Sequence, residues 1–404
     1  MRTTLQSDKA ITAHFISNGC EEGRLDTERL KFLAKDAGFT CTNNIKQADF
    51  ILFYACGHLT AYDVDSVRII ERINKLKKPS ARLIVWGCLP KINPGAIQEI
   101  YDGPLVGPEE WDFFSDLFNQ PRGRINHVFA NALCSYANSN SKLTNPHSII
   151  YLMLEKLYSY IDRRWYIKIV SGCKNCCTYC SDRLAYKWTT SVPVETILMQ
   201  FEQGLAANCK HFFFVGRDLG SYGYDIDLTL ADLLNKIAKM YPNQTYKISI
   251  RNVSPNFLIA LYPKIDQTVL SKRIFEIGSH IQVGSERILK LMGKTFELED
   301  WKKTIQDIDK KYPNIRLNTS IMLGFPGETE EDFKKTINLL INLLFDWIDV
   351  YTYSERPNLP SFKLKDRVPE FTKIRRTEIA KKLARVNTLR KRFKRTRNLY
   401  LTTL

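Results

Sequence analysis

The sequence SGCKNCCTYCSD, at residues 171–182, holds four of the ten cysteines of this 404-residue chain. Three of them, Cys173, Cys177 and Cys180, have the spacing C-x3-C-x2-C. A tight loop with this spacing can direct three thiolates at three irons of one 4Fe-4S cluster and leave the fourth iron without a protein ligand. Cys176 does not fit the spacing, and we interpret it as a bystander next to the cluster. The pattern therefore predicts a reactive iron-sulfur site.

A zinc site or a group of structural thiols is the alternative interpretation of these cysteines. Zinc sites usually combine one C-x2-4-C pair with a second pair about a dozen or more residues away. Cys176, Cys177 and Cys180 could contribute to such a site, and Cys209 lies downstream, but the sequence contains no second pair that completes it.

A second group of cysteines follows apolar segments in the first quarter of the chain. Strands and helices are predicted to alternate there, in the order strand 13–17, helix 26–37, strand 49–55, helix 64–76 and strand 82–86. Cys20, Cys56 and Cys88 each follow a different one of these strands. An open parallel sheet would bring them to one edge, where such sheets form their sites. Three thiolates there could hold a second cluster; the alternative is three small buried residues at strand ends.

The second half of the chain also alternates between strands and helices. The predicted strands are 166–170, 211–216, 246–250, 277–283, 316–323 and 347–353. Six such strands predict a partial α/β barrel, whose site forms at the carboxyl ends of the strands, and the cysteine loop directly follows the first strand. Residues 119–160 are predicted to connect the two halves, and Cys134 within them is interpreted as structural.

The composition indicates an ordinary soluble globular protein, with 44% hydrophobic and 25% charged residues. No apolar run approaches the roughly 18 residues that a membrane span requires. The first residues, with Arg2, Asp8 and Lys9, have no apolar core and do not read as a secretory signal. We therefore predict a cytoplasmic protein without membrane partners, in which cysteines serve as metal ligands more readily than as disulfides.

The net charge of +16 is concentrated at the end of the sequence. Residues 371–404 contain twelve Lys or Arg and one acid, Glu378, so this segment carries +11 and the remainder about +5. Such a basic helical tail can follow a phosphate backbone. The alternative is a solvated helix face or a frayed end.

Further short motifs accompany both sets of cysteines. In chain order they are Gly19-Cys20 with Asp26 and Glu28, Ala48-Asp49 through Cys56, Gly87-Cys88, Gly107-Pro108, Tyr179 before Cys180, Ser191-x-Pro193-x-Glu195, Gly216-x-Asp218-x-x-Ser221-Tyr222-Gly223, Gln282-x-Gly284-Ser285, and Gly324-Phe325-Pro326-Gly327-Glu328-Thr329. Together they resemble the methylthiotransferase family of radical S-adenosylmethionine (radical SAM) enzymes, over roughly residues 11–390. Members of that family attach a methylthio group to a tRNA adenosine or to an aspartate of a ribosomal protein.

The resemblance implies a fold and a set of domains. It implies an N-terminal open parallel-sheet domain of the Rossmann or flavodoxin-like type at 1–118, the connector at 119–160, a radical SAM partial (β/α)6 barrel at 161–370, and the basic helical tail at 371–404. Family members usually continue into a small β-barrel module called TRAM, which we expect this member to lack.

The resemblance also implies two 4Fe-4S clusters and S-adenosylmethionine (SAM) as cofactors. The cluster on Cys173, Cys177 and Cys180 would cleave SAM to an adenosyl radical, which abstracts hydrogen from the substrate. The cluster on Cys20, Cys56 and Cys88 would hold the sulfur that the carbon radical captures, and a second SAM would supply the methyl group. The implied SAM-binding residues are Tyr179, Gly216, Asp218, Ser254, Gln282 and Ser285. A low-potential electron donor and a sulfur donor are the implied partners.

Several positions depart from the family pattern. Tyr186-Lys187-Trp188 replaces a basic Arg-Gly-Arg/Lys segment, and Gly278 and Ser320 replace a His and an Asp. These changes leave the cluster chemistry intact and the substrate open: a tRNA whose phosphates the tail contacts, or a peptide or protein. A sulfur-inserting enzyme without methylation and a non-catalytic iron-sulfur RNA-binding protein are the alternative functions.

Overall fold

The computed structural model describes the backbone of residues 10–123 and 164–402, and side chains as far as residue 396. The chain divides into two compact units. The first comprises Met1–Ala132 with Ser181–Lys187, and the second comprises Leu133–Cys180 with Trp188–Leu404. Cys134 and most of the predicted connector lie outside the described residues. The assignment of 181–187 to the first unit differs from the uninterrupted barrel that the sequence predicts.

The first unit contains one five-stranded parallel sheet, with strand order β2-β1-β3-β4-β5. Its elements are β1 Thr12–Ser17, α1 Glu21–Asp36, β2 Thr40–Cys41, β3 Phe50–Tyr54, α2 Thr60–Leu76, β4 Arg82–Trp86, α3 Leu89–Ile92, α4 Pro94–Gln98, β5 Leu105–Val106, α5 Trp111–Leu117 and α6 Asp182–Ala185. The order is that of a flavodoxin-like sheet. The predicted open parallel sheet is therefore confirmed.

The central strand β3 explains why this sheet is covered on both faces. Ile51 and Phe53 pack into one apolar cluster, while Leu52 and Tyr54 pack into another on the opposite face. Strands buried on both faces read as continuous apolar runs. Helix α1 begins at Glu21, five residues before the predicted start, because two acidic residues in its first turn favour the positive end of the helix dipole.

The second unit contains a six-stranded parallel sheet, with strand order β6-β9-β10-β11-β12-β13. Its elements are β6 Arg164–Lys168, β7 Val170–Ser171, β8 Thr190–Ser191, α7 Val194–Ala206, β9 His211–Val215, α8 Leu230–Met240, β10 Lys247–Ile250, α9 Pro255–Leu261, α10 Gln267–Lys272, β11 Ile274–Gly278, α11 Glu286–Leu291, α12 Leu298–Lys311, β12 Arg316–Leu323, α13 Glu330–Asn342, β13 Trp347–Thr352 and α14 Glu370–Thr402. Sequential strands with intervening helices confirm the predicted partial barrel. Within the described ranges, no helix is both long enough and apolar enough to cross a bilayer.

The fourth long strand differs from its predicted position. Residues 277–283 are predicted to be extended, but β11 ends at Gly278. A Cβ on Gly278 would lie 1.9 Å from the Arg251 carbonyl oxygen, so the backbones approach closely here. Beyond it, Gln282 has a φ of 75° and forms only an isolated bridge with Ile321. The apolar residues that suggested a longer strand, Ile281 and Val283, are buried in the core instead.

Helix α14 forms the predicted basic helix, and its inner face packs on the second unit. Ala380 and Ala384 belong to the large apolar core. Arg376 is buried and donates to Glu328 at 2.9 Å and to Glu330 at 3.1 Å. The helix is therefore packed into the second unit and is not the frayed end that the sequence left open as an alternative.

The Arg376–Glu328 ion pair provides a stability prediction. Burial raises the pKa of Glu328, while the Gly324 N–H and Arg376 oppose that rise. Arg376→Ala leaves this buried carboxylate without its cation, so we expect the free energy of unfolding to fall by about 3–5 kcal/mol. The matched control is Arg375→Ala, which removes a half-exposed partner of Glu330 and costs about 0–1 kcal/mol. Hydrogen exchange of the β12 and β13 amides in urea measures both, and equal losses would contradict the prediction.

Candidate cluster sites

The cysteine loop of the second unit starts at a position that only glycine can occupy. Gly172 has a φ of 75°, and a Cβ there would lie 2.1 Å from the Trp188 carbonyl oxygen. Left-handed backbone and close approach both require glycine. Cys173 follows immediately, so the first predicted ligand leaves β7 in a fixed direction.

The middle of the loop is held at Thr178. Its N–H donates to the Met292 carbonyl at 3.0 Å, its hydroxyl donates to the Leu291 carbonyl at 2.9 Å, and its carbonyl accepts from Ser361 N–H at 3.0 Å. Cys177 precedes Thr178, and the Cys180 N–H returns to the Cys177 carbonyl at 3.3 Å. Both cysteines therefore sit on an anchored turn.

No site for a single metal ion is present among the described side chains. Within residues 10–123 and 164–396, no three His, Cys, Asp or Glu side chains converge closely enough to bind one ion. Cysteines that bind three different irons of a 4Fe-4S cluster need not meet at a single point.

Cys173 is the centre of a hydrogen-bond network. Its sulfur accepts from Asn175 N–H at 3.4 Å and from Asn175 Nδ2 at 3.6 Å, and lies 3.6 Å from Asp218 Oδ2. Burial and the Asp218 carboxylate raise the pKa of the Cys173 thiol to about 12. A coordinating metal removes such a proton outright, and N–H donors to a ligand sulfur are typical outer-shell contacts of metal sites.

Asp218 links Cys173 to the neighbouring strand ends. Its Oδ1 accepts from Ser254 N–H at 2.9 Å, and its Oδ2 accepts from Ser221 Oγ at 3.0 Å and from Asn175 Nδ2 at 2.8 Å. Asn175 Nδ2 also donates to Ser254 Oγ at 2.9 Å. Two of the predicted SAM-binding residues, Asp218 and Ser254, therefore lie together beside Cys173. Asn175 was missed, because an amide inside a cysteine motif carries no distinctive spacing.

Tyr179 and Lys294 form a second polar group beside the loop. The Tyr179 ring packs edge-on against Phe325 with centroids 6.3 Å apart, and Lys294 Nζ lies 5.9 Å from its centroid. Burial raises the pKa of Tyr179, although Lys294 opposes it. Burial lowers the pKa of Lys294, but Tyr179 and Cys177 outweigh this effect and raise its pKa overall. This cation, which sequence analysis did not single out, lies next to a predicted cluster ligand.

The other predicted SAM-binding residues lie outside the Asp218 network. Gly216 has no room for a side chain, since a Cβ would lie 2.6 Å from Val170 Cγ1. Gln282 donates from Nε2 to Ser320 Oγ at 3.1 Å. Ser285 is buried and donates to Asp332 Oδ1 at 2.5 Å. Their contact with SAM stays a prediction.

In the first unit, Tyr54 at the end of β3 touches the loops of the predicted auxiliary cysteines. A Cβ on Gly19 or Gly23, on either side of Cys20, would lie 2.7 or 2.5 Å from its ring. Its hydroxyl lies 3.3 Å from Cys88 Sγ, and Cys56 follows it by two residues. One buried side chain thus contacts the segments around Cys20 and Cys88. Sequence analysis did not identify Tyr54, because it lies within the apolar run of a predicted strand.

Polar contacts fix the backbone at Cys56. Asn18 Oδ1 accepts from Cys56 N–H at 2.9 Å, and Asn18 Nδ2 donates to Ser66 Oγ at 2.9 Å. Ser66 Oγ donates to the Cys56 carbonyl at 3.0 Å, which closes the ring of contacts. Burial, together with the nearby thiols of Cys56 and Cys20, raises the pKa of Tyr62. The backbone of Cys56 is therefore held by two polar side chains of the first unit.

Comparison with known proteins gives two family matches. A model of the radical SAM superfamily matches residues 167–340, and a model described as uncharacterized protein family UPF0004 matches residues 12–105. These matches fall on the second and the first unit, respectively.

Curated relatives cover most of the chain. A probable threonylcarbamoyladenosine tRNA methylthiotransferase of Pyrococcus abyssi is 27% identical over 87% of this chain and 79% of its own length. The ribosomal protein uS12 methylthiotransferase RimO of a Thermotoga species is 28% identical over 89% of this chain and 80% of its own length. Among solved structures, the radical SAM methyltransferase TsrM of Kitasatospora setae aligns with a TM-score of 0.61 at 11% identity, over 88% of this chain and 77% of that chain. That likeness concerns the fold alone.

Proposed function

We propose that this chain is a member of the radical SAM methylthiotransferase family and that it uses two 4Fe-4S clusters to convert a substrate C–H bond into a C–S–CH3 group. Cys173, Cys177 and Cys180 would hold the cluster that binds SAM. A second cluster would be held by three cysteines of the first unit, namely Cys20, Cys56 and Cys88. The substrate is an RNA or a peptide or protein.

The arrangement around Tyr54 is the observation that carries this proposal. Three cysteines that are far apart in sequence follow strands of one parallel sheet, and a single buried ring packs on the loops of two of them. Three small residues at strand ends, the alternative, would not require a hydroxyl directed at a sulfur. A cluster with three thiolate ligands keeps one iron open, which suits a site that carries an exogenous sulfide.

The residues of the second unit would hold SAM and its cluster in place. When bound and reduced by a low-potential one-electron donor, the cluster supplies the electron that cleaves SAM. Asn175 and Asp218 fix the Cys173 sulfur and the Ser254 backbone in one network. Asp218, Ser254, Gly216, Tyr179, Gln282 and Ser285 are proposed to surround SAM.

The partners are proposed by chemical class. The named relatives act on a tRNA or on ribosomal protein uS12, and both classes of substrate are carried over here as proposals. A sulfur donor has to replace the sulfide that each turnover consumes. These partners agree with the predicted cytoplasmic location.

Iron and sulfide content test the proposal. The anaerobic wild-type protein should contain about eight irons, and the Cys173/Cys177/Cys180→Ala triple variant about four. The reduced wild type should also release 5'-deoxyadenosine, and the product should gain the mass of a methylthio group. About four irons in the wild type and none in the triple variant would exclude the second cluster. A product that gained only the mass of sulfur would indicate sulfur insertion without methylation.

The role of Tyr54 gives a prediction for the proposed auxiliary cluster alone. In the triple variant background, Tyr54→Phe keeps the ring and loses one hydrogen bond of about 0.5–1.5 kcal/mol. It should retain about four irons against a chelator. Tyr54→Ala leaves a cavity among the cysteine loops, which should lower the free energy of unfolding by about 3–5 kcal/mol. This variant should lose its irons, about four, to the chelator. Equal iron retention in both variants would contradict an organising role for the ring.

A further inference from the structure

We propose that the outer face of helix α14, defined as Lys382, Arg385, Leu389, Arg392 and Phe393, is a contact surface for RNA. The inference deepens the proposed function and rests on it, since it selects RNA from the two proposed substrate classes. It differs from a basic tail that binds as a whole, because the structure separates the basic residues of the helix into two groups.

The first group is neutralised within the second unit. Of the eleven Lys and Arg of 371–404 whose side chains are described, seven form ion pairs: Lys373 with Glu370, Arg375 with Glu330, Arg376 with Glu328 and Glu330, Lys381 with Glu378, Lys391 and Lys394 with Asp309, and Arg395 with Asp346. These cations are engaged in holding the helix. The formal charge of +11 therefore greatly overstates what the segment offers a polyanion.

The second group forms no ion pair within 4.0 Å among the described residues. It consists of Lys382, Arg385, Arg390 and Arg392, and all four are exposed. Arg390 donates to the Ile341 carbonyl at 3.1 Å. Glu378, the nearest acid along the helix, pairs with Lys381 at 2.9 Å. Three uncompensated cations thus remain on the outer face.

Helical spacing places these three cations on one side. Lys382, Arg385 and Arg392 follow the i, i+3, i+10 pattern, and they extend over about 15 Å at 1.5 Å per residue. The buried Ala380, Ala384 and Asn387 lie on the opposite side. The row is long enough to contact more than one phosphate of a strand, since phosphates of one strand are about 3.4 Å apart along the axis of duplex DNA.

Exposed apolar side chains lie beside the cations on the same face of the helix. Phe393 is 75% exposed and Leu389 is 53% exposed. A phenylalanine beside arginines is the combination on which unpaired bases stack while the cations contact phosphate. An acidic protein would match the charges but would not require an accessible aromatic ring, so we favour RNA with unpaired bases.

The test compares two triple charge reversals in the full-length, cluster-loaded protein. Lys382→Glu/Arg385→Glu/Arg392→Glu changes the outer face. The matched control, Lys210→Glu/Lys236→Glu/Lys239→Glu, changes exposed lysines elsewhere on the second unit by the same total charge. The probe is unfractionated tRNA. We expect the outer-face variant to bind about tenfold or more weakly, with a slope of log Kd against log salt reduced by about two to three. The control should bind as the wild type does.

Phe393→Ala separates stacking from charge. It should weaken tRNA binding about fivefold or more without changing the salt slope. Equal effects of the two triple variants, or no effect of either, would overturn the proposal. Loss of a wild-type dimer in the outer-face variant, with tRNA binding unchanged, would identify the face as a protein interface instead.

Formation of 5'-deoxyadenosine without substrate keeps this inference distinct from the proposed function. Both triple variants should release it at the wild-type rate, because their substitutions lie outside the cysteine loop. If the wild type releases none, the proposed function fails whatever the binding data. If the wild type does release 5'-deoxyadenosine but the outer-face substitutions do not affect tRNA binding, only the present inference fails.

Discussion

Cys177→Ala is expected to reduce the release of 5'-deoxyadenosine to the level of a protein-free control, and to lower the iron content from about eight to about four. Cys177 is buried and directly precedes Thr178, whose backbone and hydroxyl are bonded to Leu291, Met292 and Ser361. The backbone next to Cys177 is therefore fixed by the fold. With only Cys173 and Cys180 left, the cluster would lose one of its three protein ligands.

Cys176→Ala is the matched control for this prediction. Cys176 is the adjacent thiol in sequence, but it is exposed and outside the C-x3-C-x2-C spacing. We expect this variant to keep the iron content and to release 5'-deoxyadenosine within about twofold of the wild-type rate. Loss of release in Cys176→Ala together with retention in Cys177→Ala would show that the ligand set was assigned wrongly. Anaerobic assays with iron determination on the same samples decide between the outcomes.

The sequence is sufficient to predict the parts of the fold whose determinants are local. The apolar run of β3 is continuous because both faces of that strand are buried, and it predicts a parallel sheet without any knowledge of its neighbours. The cysteine spacing of the second unit is equally local, since one anchored loop carries all three thiols. Asp218 and Ser254, which the family resemblance implies, follow neighbouring strands β9 and β10 of one parallel sheet, and their contact with SAM stays a prediction.

Features that depend on distant residues could not be predicted in the same way. The ion pairs of α14 use Asp309, Glu328, Glu330 and Asp346, which lie about 40 to 90 residues earlier in the chain. Tyr54 reads as one more apolar strand residue until the glycines that its ring contacts are known. Gln282 has a φ of 75° inside a predicted strand, and Gly278, where β11 ends, closely approaches Arg251. Neither feature follows from a local sequence pattern.

Cys56→Ala is expected to preserve the cleavage of SAM and to abolish sulfur transfer. The described hydrogen bonds of Cys56 are made with Asn18 and Ser66 of the first unit. Among the described residues, the network around Cys173 is made of residues of the second unit, including Asn175 and Asp218. Loss of the proposed auxiliary cluster should therefore leave 5'-deoxyadenosine release within about twofold of wild type, while about four of eight irons are lost.

Cys41→Ala is the matched control for Cys56→Ala, because it removes another thiol of the same sheet that belongs to neither triad. It should keep both the iron and the product. Chromatography of 5'-deoxyadenosine and mass spectrometry of the substrate, made in the same reaction, separate the two steps. Methylthiolated product at the wild-type rate from Cys56→Ala would exclude Cys56 as a ligand. Loss of cleavage in Cys56→Ala, with its iron intact, would mean that the first unit contributes to the SAM chemistry itself, so that the two triads do not act separately.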